Sequence, residues 1–212
     1  MIEILSIFKQ SEETIFRTIF LLDLYLKSEK SKLKTEELHI IGITIMFISS
    51  KLHELKPLTM KEIIQQIGKN KFSKKEILEK EKHILGILKF NINQSSLCCY
   101  LTTIYNLLGL SDKISNSLIK YSFTLLKMYC YSYDIINVYS YEHLSLFSTI
   151  IALKLFGHSD KNFQSNIYIV KLLKISKIDK NNLVENLNYL RDTASNFKNS
   201  YSYNKLQNSR SN

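Results

Sequence analysis

The sequence predicts an all-α protein made of two tandem units of five helices each. The chain has 212 residues, 45% of them hydrophobic, which is enough for two domains of about 100 residues with a core in each. It contains only five glycines and one proline, whereas an all-β chain needs turn residues about every 8–12 positions. Apolar residues recur at helical spacing from residue 12 onwards, which favours helices joined by short polar loops.

The first long helices are predicted at segments 12–27 and 35–52. Segment 12–27 is amphipathic, and its first turn carries Glu12 and Glu13, whose charges suit the positive end of the helix dipole. Segment 35–52 also opens with two glutamates but is then apolar on nearly every face. This pattern is typical of a helix surrounded by other helices, so segment 35–52 is the predicted centre of the first unit.

Two capping-box spacings predict the next two helices. The only proline ends the central helix, and the pairs Thr59 with Glu62 and Ser73 with Glu76 follow it. In such a pair each residue accepts a hydrogen bond from the backbone of the other, which fixes a helix start. The first pair predicts a short helix, and the second predicts a helix over about 74–89.

The second half of the chain repeats this succession of helices in similar order and length. The predicted helices span 96–108, about 113–132, 141–156, 165–174 and 180–197. We therefore expect two domains, at 1–93 and 94–198. Segment 199–212 is polar and rich in Ser and Asn, and it is expected to be a disordered tail.

The sequence carries no motif of catalysis or cofactor binding. It lacks phosphate-binding glycine loops, the GxSxG nucleophile motif and the HExxH metal motif, and its five histidines are scattered. The three cysteines include adjacent Cys98 and Cys99 without metal-ligand spacing, which fits a reducing intracellular compartment, nucleus or cytoplasm. The apolar run 40–48 is too short to span a bilayer. We expect no enzyme, no cofactor, no metal and no membrane.

The formal charge of +10 leaves two interpretations open. One is a dispersed surplus of solvated lysines, and the other is a basic face for nucleic acid, for which Lys74, Lys75, Lys80 and Lys82 are the candidates. The lysines are spread along the chain, which favours the first interpretation. The tyrosines between residues 129 and 141 have few basic neighbours, so we expect them to pack between helices and do not favour nucleic-acid binding.

Two stretches of the first half resemble the cyclin box, above all that of mitotic A- and B-type cyclins. They are HIIGITIMFISSKLHELKPLTMKEII at 39–64 and FSKKEILEKEKHILGILKFNI at 72–92. Upstream, ETIFRTIFLLDLYL at 13–26 resembles the cyclin pattern ETLxLxxxxxDRFL, with a short insertion near 27–34. The resemblance implies two tandem cyclin-like domains, and counting back from Glu13 places residue 1 within a shortened first helix of the box.

The resemblance also implies a function and a set of site residues. Lys51 and Glu81 match the residues with which cyclins hydrogen-bond the backbone of their kinase. Positions that commonly line the same surface are matched by Leu52, Glu54, Phe90 and Ile92. The chain is thus expected to form a heterodimer with a cyclin-dependent protein kinase and to activate it allosterically in cell-cycle control. Without the resemblance, Lys51 and Glu81 would be interpreted as ordinary surface charges.

The sequence departs from the cyclin pattern at several points. His53 stands where the usual KxEE has its first Glu, and Leu24 and Tyr25 replace the Arg and Phe of DRFL. The MRAIL motif of the substrate-docking groove has no match. These departures keep an alternative open, namely a cyclin-fold adaptor that binds protein or nucleic acid without activating a kinase.

Overall fold

The computed structural model describes residues 1–31, 33–160, 162–176 and 180–198. Within these ranges every regular element is a helix, so the all-α prediction is confirmed. None of these helices combines the length and apolar character that crossing a bilayer requires. The predicted disordered tail at 199–212 lies outside the described residues.

The helices fall into two compact units, Met1–Ser96 and a second that begins at Leu97. The first unit contains α1 (Ile2–Ile7), α2 (Glu12–Ser28), α3 (Glu37–His53), a π-helical segment (Glu62–Ile67) and α4 (Lys74–Ile87). The second contains α5 (Leu97–Leu108), α6 (Asp112–Tyr129), α7 (Tyr133–Val138), α8 (Tyr141–Ser159), α9 (Ser165–Ser176) and α10 (Lys180–Lys198). The division lies close to the predicted domain boundary at 93, and the independence of the two domains stays a prediction.

Helix α3 is the centre of the first unit, as its sequence predicts. Its residues from Ile40 to Ser50 are buried except for the partly buried Gly42. Ile41 and Ile45 pack with Tyr25 of α2 and Ile84 of α4 in one hydrophobic cluster. Each such side chain contributes about 1.5–3 kcal/mol when it leaves water, so α2 and α4 are held against α3 mainly by this cluster.

Both predicted capping boxes are present. The Ser73 hydroxyl accepts a hydrogen bond from the Glu76 backbone N–H at 3.3 Å, and the Glu76 carboxylate accepts one from the Ser73 N–H at 2.8 Å. Thr59 and Glu62 exchange the same two bonds at 3.2 and 2.7 Å. These bonds satisfy backbone donors that the first helical turn leaves free, which fixes where each helix begins.

The segment after Thr59 winds as a π-helix, where the sequence predicts an ordinary short helix. The wide turn is closed by Gly68, whose N–H donates to the carbonyl of Ile63, five residues earlier, at 2.8 Å. A Cβ atom at position 68 would lie 3.0 Å from that oxygen. Only glycine permits this close approach without a shift of the backbone.

The second unit is organised around α8 in the way that the first is organised around α3. Ten successive residues of α8, from Leu144 to Leu153, are buried. Tyr129 is fully buried, and Tyr139 packs edge-on against Phe147 with ring centroids 5.9 Å apart. The prediction that these tyrosines pack between helices is therefore confirmed at both positions.

Helix α7 is absent from the sequence prediction. It has six residues, which is too few for a helical period to be recognised. Ile135 holds it in place because its side chain is fully buried.

Replacing Ser73 tests how far the capping box determines the start of α4. We expect Ser73→Ala to lower the free energy of unfolding by about 0.5–2 kcal/mol, because the Glu76 N–H loses its acceptor. The matched control is Ser73→Asn, which keeps a side-chain oxygen that can accept from the Glu76 N–H and is expected to cost only a few tenths of a kcal/mol. Urea unfolding followed by circular dichroism measures both. Equal losses for the two variants would contradict this account.

Candidate partner-binding surface

The structure brings Lys51 and Glu81 together, although they are 30 residues apart in sequence. Lys51 lies in the last turn of α3, and its ammonium group donates to Oε1 of Glu81 in α4. The Lys51 side chain is 38% exposed and that of Glu81 is 13% exposed. The pair therefore lies at the surface where the last turn of α3 packs beside the middle of α4.

A second contact fixes the Lys51 ammonium group. Its Nζ lies 4.1 Å from the centroid of the Phe47 ring, one helical turn earlier, which is a cation–π distance. An ammonium group has three donors and a carboxylate has two acceptor oxygens, so the pair has hydrogen-bonding capacity beyond its own contact. It can donate to a carbonyl and accept from an N–H of another chain at adjacent points. That is the chemistry needed to bind a peptide backbone.

Exposed apolar side chains occur close in sequence to this pair. Leu52 directly follows Lys51 and is 44% exposed, while Leu55 is fully exposed. Leu85, one turn after Glu81 on α4, is partly buried against the core of the unit. Exposed apolar groups beside a fixed polar pair are typical of a protein-binding surface. The sequence analysis did not identify Leu55. A leucine in the polar turn immediately after a helix end could have indicated an exposed apolar residue there.

A tight turn after α4 projects Phe90 outward. Lys89 and Phe90 both have left-handed backbone conformations, with φ of 50° and 57°. The Phe90 N–H donates to the carbonyl of Leu85 at 3.0 Å, and the Ile92 N–H donates to that of Phe90 at 2.9 Å. Phe90 is 71% exposed, whereas Ile92 is half-buried against the core cluster. Left-handed conformations cost about 1–2 kcal/mol for residues with a side chain, and such strain is common at functional sites.

Glu54 occupies a different position from the other predicted site residues. Its Oε1 accepts hydrogen bonds from the N–H and hydroxyl of Ser11, both at 2.7 Å, and from the Thr14 hydroxyl at 2.5 Å. Burial alone would raise the pKa of Glu54, but these hydrogen bonds outweigh it and lower the pKa. In this structure Glu54 thus ties the end of α3 to the start of α2, and its predicted contact with a partner stays a prediction.

The four lysines proposed as a basic face lie on α4, where acidic residues are interspersed among them. Lys75 lies 3.9 Å from Glu79 in an exposed ion pair. Glu76, Glu79 and Glu81 share the helix with the lysines, so positive charge is not concentrated on it. This arrangement favours the interpretation of a dispersed charge surplus. Among the described residues, His, Cys, Asp and Glu side chains form no group of three or more that could hold a metal ion.

Comparison with known proteins relates the first unit to one family. Residues 1–93 match the family described as cyclin, N-terminal domain. The chain is 30% identical over 126 residues to a G2/mitotic-specific cyclin-B of Spisula solidissima, covering 59% of this chain and 28% of that protein. It is 28% identical over 160 residues to the corresponding cyclin-B of Hydra vulgaris, covering 76% and 42%. The chain thus matches less than half the length of either relative.

A solved structure extends the likeness to the second unit. The X-ray structure of a viral cyclin from herpesvirus saimiri superposes with a TM-score of 0.69 at 18% identity, covering 99% of this chain and 81% of that one. At this identity the likeness concerns the fold. It confirms the prediction of an all-α cyclin-like fold, including the second unit, for which helix order and length were the only sequence signals.

The structure predicts that Glu54 and Glu81 contribute differently to stability. We expect Glu54→Gln to lower the free energy of unfolding by about 1–3 kcal/mol, since it weakens hydrogen bonds to a charged acceptor. Glu81→Gln is expected to cost less than about 1 kcal/mol, because its partner Lys51 is partly exposed. Urea unfolding at pH 7 measures both, and Glu79→Gln on the exposed face of α4 is the matched control.

The difference in stability between the original chain and Glu54→Gln is expected to depend on pH. Because the pKa of Glu54 is lowered from 4.5 in the folded chain, its contribution is present above that pH and is lost as the pH falls through the folded-state pKa. The stability difference between the original chain and Glu54→Gln should therefore shrink on acidification. A difference that stays constant below pH 4.5 would contradict the internal role of Glu54.

Proposed function

Because residues 1–93 of this chain match the cyclin N-terminal domain and resemble B-type cyclins, we propose that the chain is a kinase-regulatory subunit. It binds a cyclin-dependent protein kinase as a heterodimer and activates it. The observation that carries this proposal is the ion pair of Lys51 and Glu81, held at the surface near exposed apolar side chains. The curated relatives are G2/mitotic-specific cyclins, so the proposed context is control of cell division within the cell.

The pair and its apolar neighbours supply different parts of the binding free energy. Lys51 donates to a backbone carbonyl of the kinase, and Glu81 accepts from a backbone N–H, so the pair fixes the register of the kinase segment. Leu52 and Phe90 supply apolar area that is exposed in the free chain. Burying a side chain of this size fully contributes about 1.5–3 kcal/mol. Ile92, already half-buried, extends this surface toward the core.

The proposed activation is allosteric: the chain acts through binding, and the catalytic groups belong to the kinase. In protein kinases a Glu of the regulatory helix must pair with the Lys that orients ATP, and the position of that helix controls activity. A chain that binds the active position more tightly shifts the population toward it. A shift from 1:99 to 99:1 requires about 10⁴-fold tighter binding to the active state. The polar pair of Lys51 and Glu81 and the exposed apolar side chains provide contacts of the kind that can differ between the two states.

The test is kinase activation by the purified chain. Monomeric cyclin-dependent kinases of the same organism are assayed on histone with and without the chain, and affinity is measured by calorimetry. We expect activation by the original chain, and we expect the double variant Lys51→Ala/Glu81→Ala to bind about 30-fold more weakly or worse, which corresponds to a loss of 2 kcal/mol or more.

The matched control is Lys75→Ala/Glu79→Ala, which removes another Lys–Glu pair from α4. Because both side chains of that pair are largely exposed and contribute little to the fold, we expect activation within about twofold of the original. Binding without activation would contradict the regulatory proposal and favour the adaptor. Equal losses in the two double variants would exclude Lys51 and Glu81 as the specific contact.

A further inference from the structure

Arg17 is a buried cation in the middle of α2. Its side chain is only 3% exposed, and a charge in such a place is tolerated only when its donors are hydrogen-bonded and an opposite charge is near. The opposite charge is Glu13, one turn earlier, whose Oε1 lies 3.1 Å from Nη2 of Arg17. The two residues have i, i+4 spacing on α2, and the burial of Arg17 is a finding of the structure.

The guanidinium group joins three parts of the first unit. Its Nε donates to Nε2 of His53 at the end of α3, at 3.0 Å. Its Nη1 donates to the backbone carbonyl of Ile92 at 3.3 Å and to that of Gln94. A planar guanidinium with donors in fixed directions is suited to such a set of acceptors, and a lysine ammonium group is not.

Glu13 connects Ser96 to the same hydrogen-bond network. Its Oε1 accepts from the Ser96 hydroxyl at 3.0 Å as well as from Arg17. Helix α2 therefore holds the segment 89–96 at three points, namely the carbonyls of Ile92 and Gln94 and the side chain of Ser96. This segment lies outside any helix among the described residues, and it begins with the two left-handed residues described above.

The tethered segment is the one that carries part of the proposed binding surface. Phe90 and Ile92 lie in it, and the Arg17 contact is made to the backbone of Ile92 itself. A strained and irregular segment presents its side chains in one arrangement only when the surroundings hold it. The network around Arg17 supplies that restraint, and Arg17 itself is buried.

We propose that Arg17 is a positioning residue of the partner-binding surface. Through the carbonyls of Ile92 and Gln94 it holds segment 89–96 in the conformation that presents Phe90 and Ile92, and His53 is the neutral acceptor that orients its guanidinium group. This inference rests on the proposed function for the identity of the partner. The proposed effect of Arg17 on the conformation of segment 89–96 concerns the free chain, so it is tested without a partner.

The role of His53 makes the network sensitive to pH. Nε2 accepts from Arg17 only when it carries no proton, and a protonated ring would place a second cation beside the guanidinium group. Burial, followed by the charge of Arg17, lowers the pKa of His53, while Glu13 and Glu54 oppose this effect. The folded chain therefore favours the neutral ring. The contribution is present above pH 6.5, the ordinary value, and is lost as the pH falls through the folded-state pKa.

The first test is hydrogen–deuterium exchange on the free chain. We expect Arg17→Lys, which keeps the charge and loses the planar donors, to raise exchange of the amides in 90–96 by about 10-fold or more. Amides of α3 and α4 should change by less than about twofold. The matched control is Arg191→Lys at an exposed arginine, which should change neither. A uniform rise across α2, α3 and α4 would overturn the inference, since it would make Arg17 an ordinary core residue.

The second test uses kinase affinity as a function of pH and does not depend on the folding of an Arg17 variant. His53→Gln keeps a neutral acceptor and cannot be protonated in this range. We expect it to bind within about threefold of the original chain at pH 7.5. Between pH 7.5 and 5.5 the original chain should lose more affinity than His53→Gln, by less than about 10-fold, because a pKa of His53 lowered from 6.5 limits its protonation at pH 5.5. The kinase's own titration cancels in this comparison.

The two readouts separate failure of the inference from failure of the proposed function. Parallel pH profiles for the original chain and His53→Gln, in a chain that binds a kinase, would overturn the inference. Absence of kinase binding at any pH would contradict the proposed function, and the exchange pattern at 90–96 would then decide the positioning role by itself. Faster exchange in Arg17→Lys that is confined to residues 90–96 supports the positioning role of Arg17. A uniform rise in exchange, or no change, contradicts it.

Discussion

The burial of α3 is the constraint on which the first unit depends. A helix that is apolar on nearly every face must be covered on every face, and α2 and α4 pack against it in one hydrophobic cluster. The buried run ends at Ser50, whose hydroxyl donates to Gln10 at 2.7 Å and accepts from the N–H of Leu58 at the same distance. The next residue, Lys51, is exposed. The same helix is therefore core up to Ser50 and surface from Lys51 onwards, which places the candidate binding residues Lys51 and Leu52 at its end.

The charged side chains of the first unit serve two different purposes. Arg17 and Glu54 are hydrogen-bonded within the chain, where they join α2 to the C-terminal end of α3 and to the segment after α4. Lys51 and Glu81 are paired at the surface and have further donors and acceptors to offer. Removing one partner of a buried set leaves an uncompensated charge, whereas an exposed pair adds little to stability. The internal charges thus support the geometry, and the surface pair is available for recognition.

The two units follow one physical plan. Each has a central helix that is buried over ten or so successive positions, α3 in the first and α8 in the second. Each central helix packs against flanking helices that are amphipathic, because they have one face toward it and one toward solvent. The predicted pattern of two similar helical units has this origin, although the second unit contains the additional short helix α7. The likeness to a viral cyclin covers 99% of the chain and thus both units.

The sequence by itself determined the features that depend on neighbours within about four residues. These are the existence of the long helices, the capping boxes at Thr59 and Ser73, the burial of α3 and the family resemblance carried by the segments around Lys51 and Glu81. The tertiary structure decided where single polar side chains point. Arg17 contacts His53, Ile92 and Gln94 across 36, 75 and 77 residues of sequence, and Glu54 reaches Ser11 across 43. Such contacts leave no periodic or local signal, because they arise only when packed helices bring distant segments together.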